Sequence, residues 1–234
     1  MAFRVRVMIV AVCAFLTGVG LMGAEQPPTI ESLLKQSIYK RMAENREVMV
    51  YAKLADVPET PDAKQKDFKK YSFYAAMRVQ ESLPAVRRAL LDYAVYPKMI
   101  PYVDRAEYSA SNRILTVEGG IWKFRLKSQV LMEEKSERWI HFRIIGGHFP
   151  GMTGDMFLEP MSGTGGKGTV VYFRGEKLGP ESEWPPRLVI ERGAEIVFGF
   201  TGGRMRSYIE TKSGPQNKGT PSHDHEVPQP RSHF

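Results

Sequence analysis

The sequence predicts an α+β domain in which a long C-terminal helix covers one face of an antiparallel sheet. Six strand-like segments follow one another with mostly short polar connections, which is typical of an antiparallel meander. Apolar and polar residues alternate along two of these segments, so one sheet face should be buried and the other solvated. Apolar residues then recur every three or four positions over residues 186–212, which predicts a helix able to cover the buried face.

The alternation is clearest in the third and fourth strands of the meander. In the third, Lys123, Arg125 and Lys127 occupy the solvated face. The apolar residues on its opposite face are Trp122, Phe124, Leu126, Val130 and Met132. In the fourth, Ile140 and Phe142 lie on the buried face. The six predicted strands are residues 104–109, 113–119, 121–133, 138–145, 155–160 and 169–177.

A strand and a helix precede the meander. Alternation over residues 70–79 predicts the strand. Ser82 can cap the helix that follows, and Pro84 lies in its first turn, where a missing N–H is tolerated. This helix should end near Tyr93, because Pro97 follows shortly afterwards.

The C-terminal helix carries a continuous apolar stripe. Its members are Ile190, Ala194, Val197, Thr201, Met205 and Tyr208, and Val189, Ile196 and Phe200 widen it. Four glycines interrupt the same segment, at positions 193, 199, 202 and 203. Each costs up to about 1 kcal/mol relative to alanine. They indicate a bend, a close approach by another part of the chain, or simply a loose helix.

The overall composition is that of a globular protein, with 42% hydrophobic and 25% charged residues. It excludes the collagen-like, fully disordered and disulfide-scaffold classes. The single cysteine, Cys13, rules out an intramolecular disulfide. The net charge of +7 is moderate and does not by itself indicate a nucleic-acid partner.

The N-terminus has the pattern of an export signal. Arg4 and Arg6 precede an apolar run that ends before Glu25, and a charged start with a short apolar core is typical of a signal peptide. We predict cleavage after residue 24 and export, with the periplasm as the expected compartment. An uncleaved anchor and a lipoprotein are the alternatives. Cys13 would leave with the signal, so the exported chain would contain no thiol.

The chain should therefore divide into four segments. Residues 30–46 predict a helix ahead of the main domain, and residues 56–67 predict a charged, proline-containing loop. The segments are a signal peptide at 1–24, an N-terminal helical and extended segment at 25–69, the α+β domain at 70–212 and a disordered tail at 213–234.

Two local motifs carry a resemblance to a known superfamily. In the first, Tyr96-Pro97 and then Pro101-Tyr102-Val103 follow the helix that begins near Ser82. In the second, Glu159-Pro160 precedes Gly168-Thr169-Val170-Val171-Tyr172. On these motifs, residues 70–212 resemble the START-like superfamily, also called SRPBCC, which includes polyketide cyclases and Bet v 1-like proteins.

The resemblance implies a helix-grip fold, in which a curved antiparallel sheet wraps around the long C-terminal helix. It also implies a deep apolar cavity between sheet and helix that holds a lipid or another hydrophobic molecule. Some members are cyclases and many are carriers or binders, and the two motifs contain no catalytic residue. We therefore expect an exported, non-enzymatic protein that binds a hydrophobic ligand.

The expected partner is a hydrophobic small molecule or lipid, and we predict no cofactor and no metal ion. Apolar contacts would supply the affinity. Lys123, Arg125 and Lys127, with Arg204 and Arg206 on the helix, could also touch a membrane surface, whereas export argues against nucleic acid. The residues expected to line the cavity are Phe73, Met77, Trp122, Phe124, Ile140, Phe142, Met156, Val197, Phe200 and Met205.

Two other functions stay open on the sequence. A cyclase- or hydrolase-type enzyme would place His148, Asp155 or Tyr172 inside the cavity, where a histidine next to an aspartate could act as acid and base. A protein-interaction module would have a filled cavity and would use residues 25–69 and the tail as docking segments. Polar groups converging inside the cavity would favour the enzyme.

Overall fold

The computed structural model describes residues 27–57, 68–121, 124–161, 168–184 and 187–213. The predicted signal peptide and the predicted tail beyond residue 213 lie outside these residues. Among the helices in the described ranges, none combines the length and the apolar character needed to cross a membrane.

The described residues form five α-helices and eight strands. The helices are α1 (Ile30–Leu33), α2 (Gln36–Asn45), α3 (Leu83–Leu91), α4 (Tyr96–Met99) and α5 (Arg187–Ser213). The strands are β1 (Met49–Asp56), β2 (Phe68–Val79), β3 (Val103–Ser109), β4 (Ile114–Ile121), β5 (Phe124–Ser136), β6 (Trp139–Gly147), β7 (Thr153–Pro160) and β8 (Thr169–Pro180).

All eight strands belong to one curved antiparallel sheet, in the order β1-β2-β8-β7-β6-β5-β4-β3. β3 to β8 form the predicted meander, and β2 pairs with the last of its strands. The β2–β8 register is regular from Phe68 opposite Pro180 to Val79 opposite Thr169. The predicted fold class is confirmed: an α+β helix-grip architecture, with a curved antiparallel sheet and a long C-terminal helix.

The sheet face that α5 covers, called the inner face, carries the largest apolar core. Ile140 and Phe142 of β6 point into this core, as the alternation predicted. Leu90 of α3, Met99 of α4 and Ile209 of α5 pack against them, and Ile209 is completely buried. The inner core therefore joins the sheet to three helices.

The opposite face of the sheet, called the outer face, is covered by the N-terminal helices. Ile30 and Met42 are buried there together with Phe157 and Tyr172 of the sheet. The predicted single helix over residues 30–46 is wrong, because the backbone at Leu34 is extended between α1 and α2. The break turns the chain so that apolar residues of both helices reach the same cluster.

Arginine side chains tie the end of α2 to the rest of the domain. Arg78 of β2 donates a 2.6 Å hydrogen bond to the carbonyl oxygen of Ala43. Arg206 of α5 donates to the carbonyl oxygen of Arg46, and the Arg46 guanidinium forms two 2.6 Å contacts with the Glu210 carboxylate. The bonds from Arg78 and Arg206 satisfy carbonyls that the C-terminus of α2 leaves unpaired. Together with the Arg46–Glu210 ion pair, they fasten the N-terminal segment to both sheet and helix.

Helix α5 is confirmed, but its buried stripe is narrower than predicted. Ile190 and Ile209 are buried, whereas Ile196 and Phe200 are 68% and 46% exposed. Ile196 and Phe200 are exposed because α5 contacts the sheet mainly at β1 and β2. Glu191 fixes this position by accepting a 2.8 Å hydrogen bond from the backbone N–H of Leu54, on edge strand β1.

The glycines of α5 have different surroundings. A Cβ atom at Gly202 would lie 2.7 Å from Cγ1 of Val48, so the close approach considered from the sequence exists at this position. At Gly203, no atom lies within 4 Å of such a Cβ, apart from the glycine's own neighbours along the helix.

This difference predicts opposite effects of two alanine substitutions. Gly203→Ala should raise the free energy of unfolding by about 0.5–1 kcal/mol, because alanine favours the helix and has space. Gly202→Ala should lose that gain and destabilise the protein, because the stiff Val48 side chain must move. Urea denaturation of both variants measures the difference. Equal stabilisation by both would contradict the contact between α5 and Val48.

Candidate ligand-binding site

Phenylalanine rings fill the inner face beneath the middle of α5. Phe198 of α5 stacks on Phe73 of β2 with 4.7 Å between ring centroids, and Phe173 lies 5.0 Å from Phe142. Glycine makes room for this packing, because a Cβ at Gly154 would lie 2.4 Å from the Phe142 ring. This part of the interface between α5 and the sheet is therefore a packed aromatic core.

The inner face is less well covered towards β4 and β5. Leu126 of β5 has the same strand parity as Val130 and Met132, which contact the inner core, and the pairing with β4 is regular throughout. Leu126 therefore points to the inner face, yet it is 44% exposed. Because α5 lies over β1 and β2, a large apolar side chain remains accessible on this side.

Three apolar side chains next to this region define the surface that we call the mouth: Tyr102, Leu126 and Phe200. The Phe200 ring lies 6.2 Å from the Tyr102 ring. The carbonyl oxygen of Tyr102 accepts a 2.9 Å hydrogen bond from the N–H of Gly120, and neighbouring Gly119 pairs with Leu126. The mouth is thus an exposed apolar surface formed by α5, the chain before β3 and the β4–β5 pair.

Most residues predicted to line a cavity lie on the inner face or on α5. Phe73, Met77, Ile140 and Phe142 are buried, and Met156 and Met205 are partly buried against the inner core. Val197 is partly buried, and Phe200 is at the mouth. Trp122 lies outside the described residues, and only the backbone of Phe124 is described. Ligand binding by these residues stays a prediction. Sequence reasoning placed Leu126 on the buried face of its strand, but it did not count Leu126 or Tyr102 among the lining residues. Leu126 is instead 44% exposed, because α5 lies over β1 and β2.

A polar cluster occupies the outer face of the sheet. The Asp155 carboxylate receives hydrogen bonds from Trp139 Nε1 at 2.8 Å and from Arg174 Nη2 at 2.9 Å, and it lies 3.0 Å from His141 Nδ1. Burial raises the pKa of Asp155, but the bonds from His141, Trp139 and Arg174 outweigh burial and hold the pKa below its ordinary value. Asp155 is therefore an ionised group whose oxygens are already occupied.

The enzyme hypothesis from the sequence is wrong about the partner and the location of Asp155. His148 Nδ1 lies 3.1 Å from the backbone N of Lys127, in an exposed loop, and it is His141 that contacts Asp155. Asp155 and Tyr172 both face outward, on the side opposite the apolar core. Residues alternate strictly between the two faces along β7, and Met156 and Leu158 point to the inner face. This alternation could have predicted from the sequence that Asp155 lies on the outer face.

Two concave surfaces lie outside the interface between α5 and the sheet. One, of about 330 Å³, lies on the outer face, and its lining brings His141, Asp155, Tyr172 and Arg174 together. The other, of about 770 Å³, lies along β3 and is bordered by Tyr93 and Tyr108. Within the described part of the chain, no group of three or more His, Cys, Asp or Glu residues is arranged to hold a metal ion.

Comparison with known proteins identifies the architecture. No family model and no curated protein matches the sequence. A START superfamily protein from Mycobacterium smegmatis superposes with a TM-score of 0.50 and 14% identity, over 61% of this chain and 99% of its own. The two-domain ARO/CYC protein StfQ of the steffimycin biosynthetic pathway also gives 0.50 and 14%, over 62% of this chain and 52% of its own. The chain therefore has a START-like helix-grip fold, as the resemblance in its sequence predicted.

Proposed function

We propose that the protein binds a hydrophobic ligand, most simply a lipid, between α5 and the inner face of the sheet. The observation that carries this proposal is the mouth, where Tyr102, Leu126 and Phe200 place apolar surface in contact with solvent. Contiguous exposed apolar surface marks binding sites in folded proteins. A ligand entering there would cover this surface and gain about 25 cal/mol per Å² of apolar area removed from water, before the costs of association.

The fold supports the same location. The START superfamily protein and the ARO/CYC protein superpose on this chain, and the START-like fold is a hydrophobic ligand-binding fold. The aromatic core beneath Phe198 already fills that part of the interface between α5 and the sheet. A ligand would therefore occupy the side of α5 that faces β4 to β6, with the mouth as its entrance.

Binding without catalysis is the simpler form of this proposal. The His141–Asp155 pair lies on the outer face, so it cannot reach a ligand on the inner face. Its carboxylate is also engaged by Trp139 and Arg174, which is the pattern of a stabilising network. We therefore favour a carrier or binder over the cyclase- or hydrolase-type alternative.

We also propose that the protein acts after export and that it meets its ligand at a membrane surface. The charged and apolar pattern of residues 1–24 supports export. At the mouth, the Arg204 guanidinium lies 5.3 Å from the Phe200 ring centroid, which places a basic group beside exposed apolar surface. This combination suits an anionic lipid surface.

Substitution at the mouth should weaken ligand uptake. Leu126→Gln should raise the Kd for the hydrophobic probe 1-pyrenebutanol about fivefold, because about 1 kcal/mol of apolar contact is lost. The matched control is Leu178→Gln on the outer face, where leucine is 49% exposed and the Kd should stay within twofold. Fluorescence titration measures both values. Equal effects of the two substitutions would place the site elsewhere.

Disrupting the outer-face cluster should reduce stability and leave uptake unchanged. Asp155→Ala should lower the free energy of unfolding by about 1–3 kcal/mol at neutral pH, because the half-buried Trp139 and His141 and the more exposed Arg174 all lose the carboxylate that they contact. Because the folded-state pKa of Asp155 is lowered, this contribution is present above the ordinary aspartate pKa and is lost as the pH falls through the lowered one.

Urea denaturation at several pH values tests the role of Asp155. The control Asp104→Ala removes an exposed partner of Arg125, and it should change stability by no more than about 0.5 kcal/mol. Loss of 1-pyrenebutanol uptake by a folded Asp155→Ala variant would instead favour a ligand on the outer face.

Export is tested on the protein recovered from fractionated cells. N-terminal sequencing of the envelope fraction should give a chain that begins at Glu25. An intact N-terminus in the cytoplasmic fraction would contradict the export proposal.

A further inference from the structure

One polar group on α5 is buried without a partner. The hydroxyl oxygen of Thr201 is inaccessible to solvent, and within the described part of the chain it has no hydrogen-bond partner. A helical threonine usually hydrogen-bonds the carbonyl of the preceding turn, so an unpaired buried hydroxyl is unusual. Such a group costs free energy unless a water molecule or a ligand supplies the missing bond.

The contacts of its helical neighbours show which side of α5 carries Thr201. Phe198 and Met205, three residues before and four after, both pack against the sheet, so Thr201 lies on the buried side of the helix. Gly199 and Gly202 face Val50 and Val48 of the β1 side.

Successive helical residues turn by about 100°, which places Thr201 and Val197 on the flank that points away from β1. Phe200 of the mouth is the adjacent residue.

The charged groups near this flank are already engaged or exposed. On α5, Arg206 donates to the carbonyl oxygen of Arg46, and Glu210 binds the Arg46 guanidinium. Arg204 is exposed and lies over the Phe200 ring at the mouth. A ligand charge buried next to Thr201 would therefore lack a buried counter-charge, which disfavours it.

We propose that Thr201 is a polar anchor of the ligand site, and that the ligand is an apolar molecule carrying a neutral hydroxyl or carbonyl group. The anchor inference rests on the proposed hydrophobic-ligand function and specifies its ligand class. The ligand enters through the mouth with its polar oxygen leading, and that oxygen hydrogen-bonds the Thr201 hydroxyl. The apolar remainder of the ligand covers Val197 and the accessible inner face.

Three related probes separate the polar contribution from the apolar one. They are 1-butylpyrene, 1-pyrenebutanol and 1-pyrenebutanoate, which share one ring system and differ at the chain end. Wild-type protein should bind the alcohol more tightly than the hydrocarbon and the carboxylate. Thr201→Val should weaken binding of the alcohol about fivefold and change binding of the hydrocarbon by less than twofold.

Two controls keep a structural effect distinct from a binding effect. Thr201→Ser retains a hydroxyl and should restore most of the preference for the alcohol. Thr201→Val should leave the urea midpoint of the ligand-free protein unchanged or higher, because it removes an unsatisfied buried group. A lower urea midpoint for Thr201→Val than for the wild-type protein would mean that the hydroxyl already has a hydrogen-bond partner. That result would contradict the proposed role of Thr201.

The remaining outcomes distinguish the anchor from the function on which it rests. If wild-type protein binds none of the probes, the proposed function fails and the anchor fails with it. A second outcome is that the alcohol and the hydrocarbon both bind, but Thr201→Val weakens their binding equally or not at all. In that case the proposed function is retained, and the proposed role of Thr201 is wrong. If 1-pyrenebutanoate instead binds more tightly than the other two probes, and Thr201→Val weakens its binding, the proposal of a neutral ligand would be wrong.

Discussion

The pairing of β2 with β8 is the interaction on which the rest of the structure depends. It joins a strand near the start of the domain to the last strand of the meander in one regular register. That register decides which residues of β2 face inward, so Phe73 and Met77 enter the inner side while Tyr74 and Ala76 face outward. Since α5 follows β8 after a short connection, the same pairing brings the helix back across β2 and β1.

The two faces of the sheet consequently have different roles. The outer face is occupied by α1 and α2 and by the hydrogen-bonded cluster around Asp155, and the arginine contacts at the end of α2 hold the N-terminal segment in place. The inner face combines a packed aromatic region with an accessible apolar one. The accessible apolar surface next to α5 therefore lies on the inner face, whereas the His141–Asp155 pair lies on the outer face.

The offset of α5 explains why the inner face is only partly closed. Glu191 ties the helix to edge strand β1, and Gly202 allows close contact with Val48. Both interactions draw the helix towards one edge of the sheet. Phe200 and Leu126 stay exposed as a result. The Thr201 hydroxyl, next to Phe200 in the helix, is buried and has no hydrogen-bond partner among the residues that the structure describes. The same offset thus leaves apolar side chains exposed and is the basis of the proposed entrance and of the proposed role of Thr201.

The sequence by itself determined the strands of the meander, the long C-terminal helix and the inward position of Ile140 and Phe142. These features follow from alternation along a strand and from helical spacing, which are local properties of the chain. Only the tertiary structure decided the contact between His141 and Asp155, the exposure of Phe200 and Leu126, and the break between α1 and α2. Each of these depends on strand register or on the offset of α5, and both are fixed by contacts between residues far apart in the chain, which local periodicity does not encode.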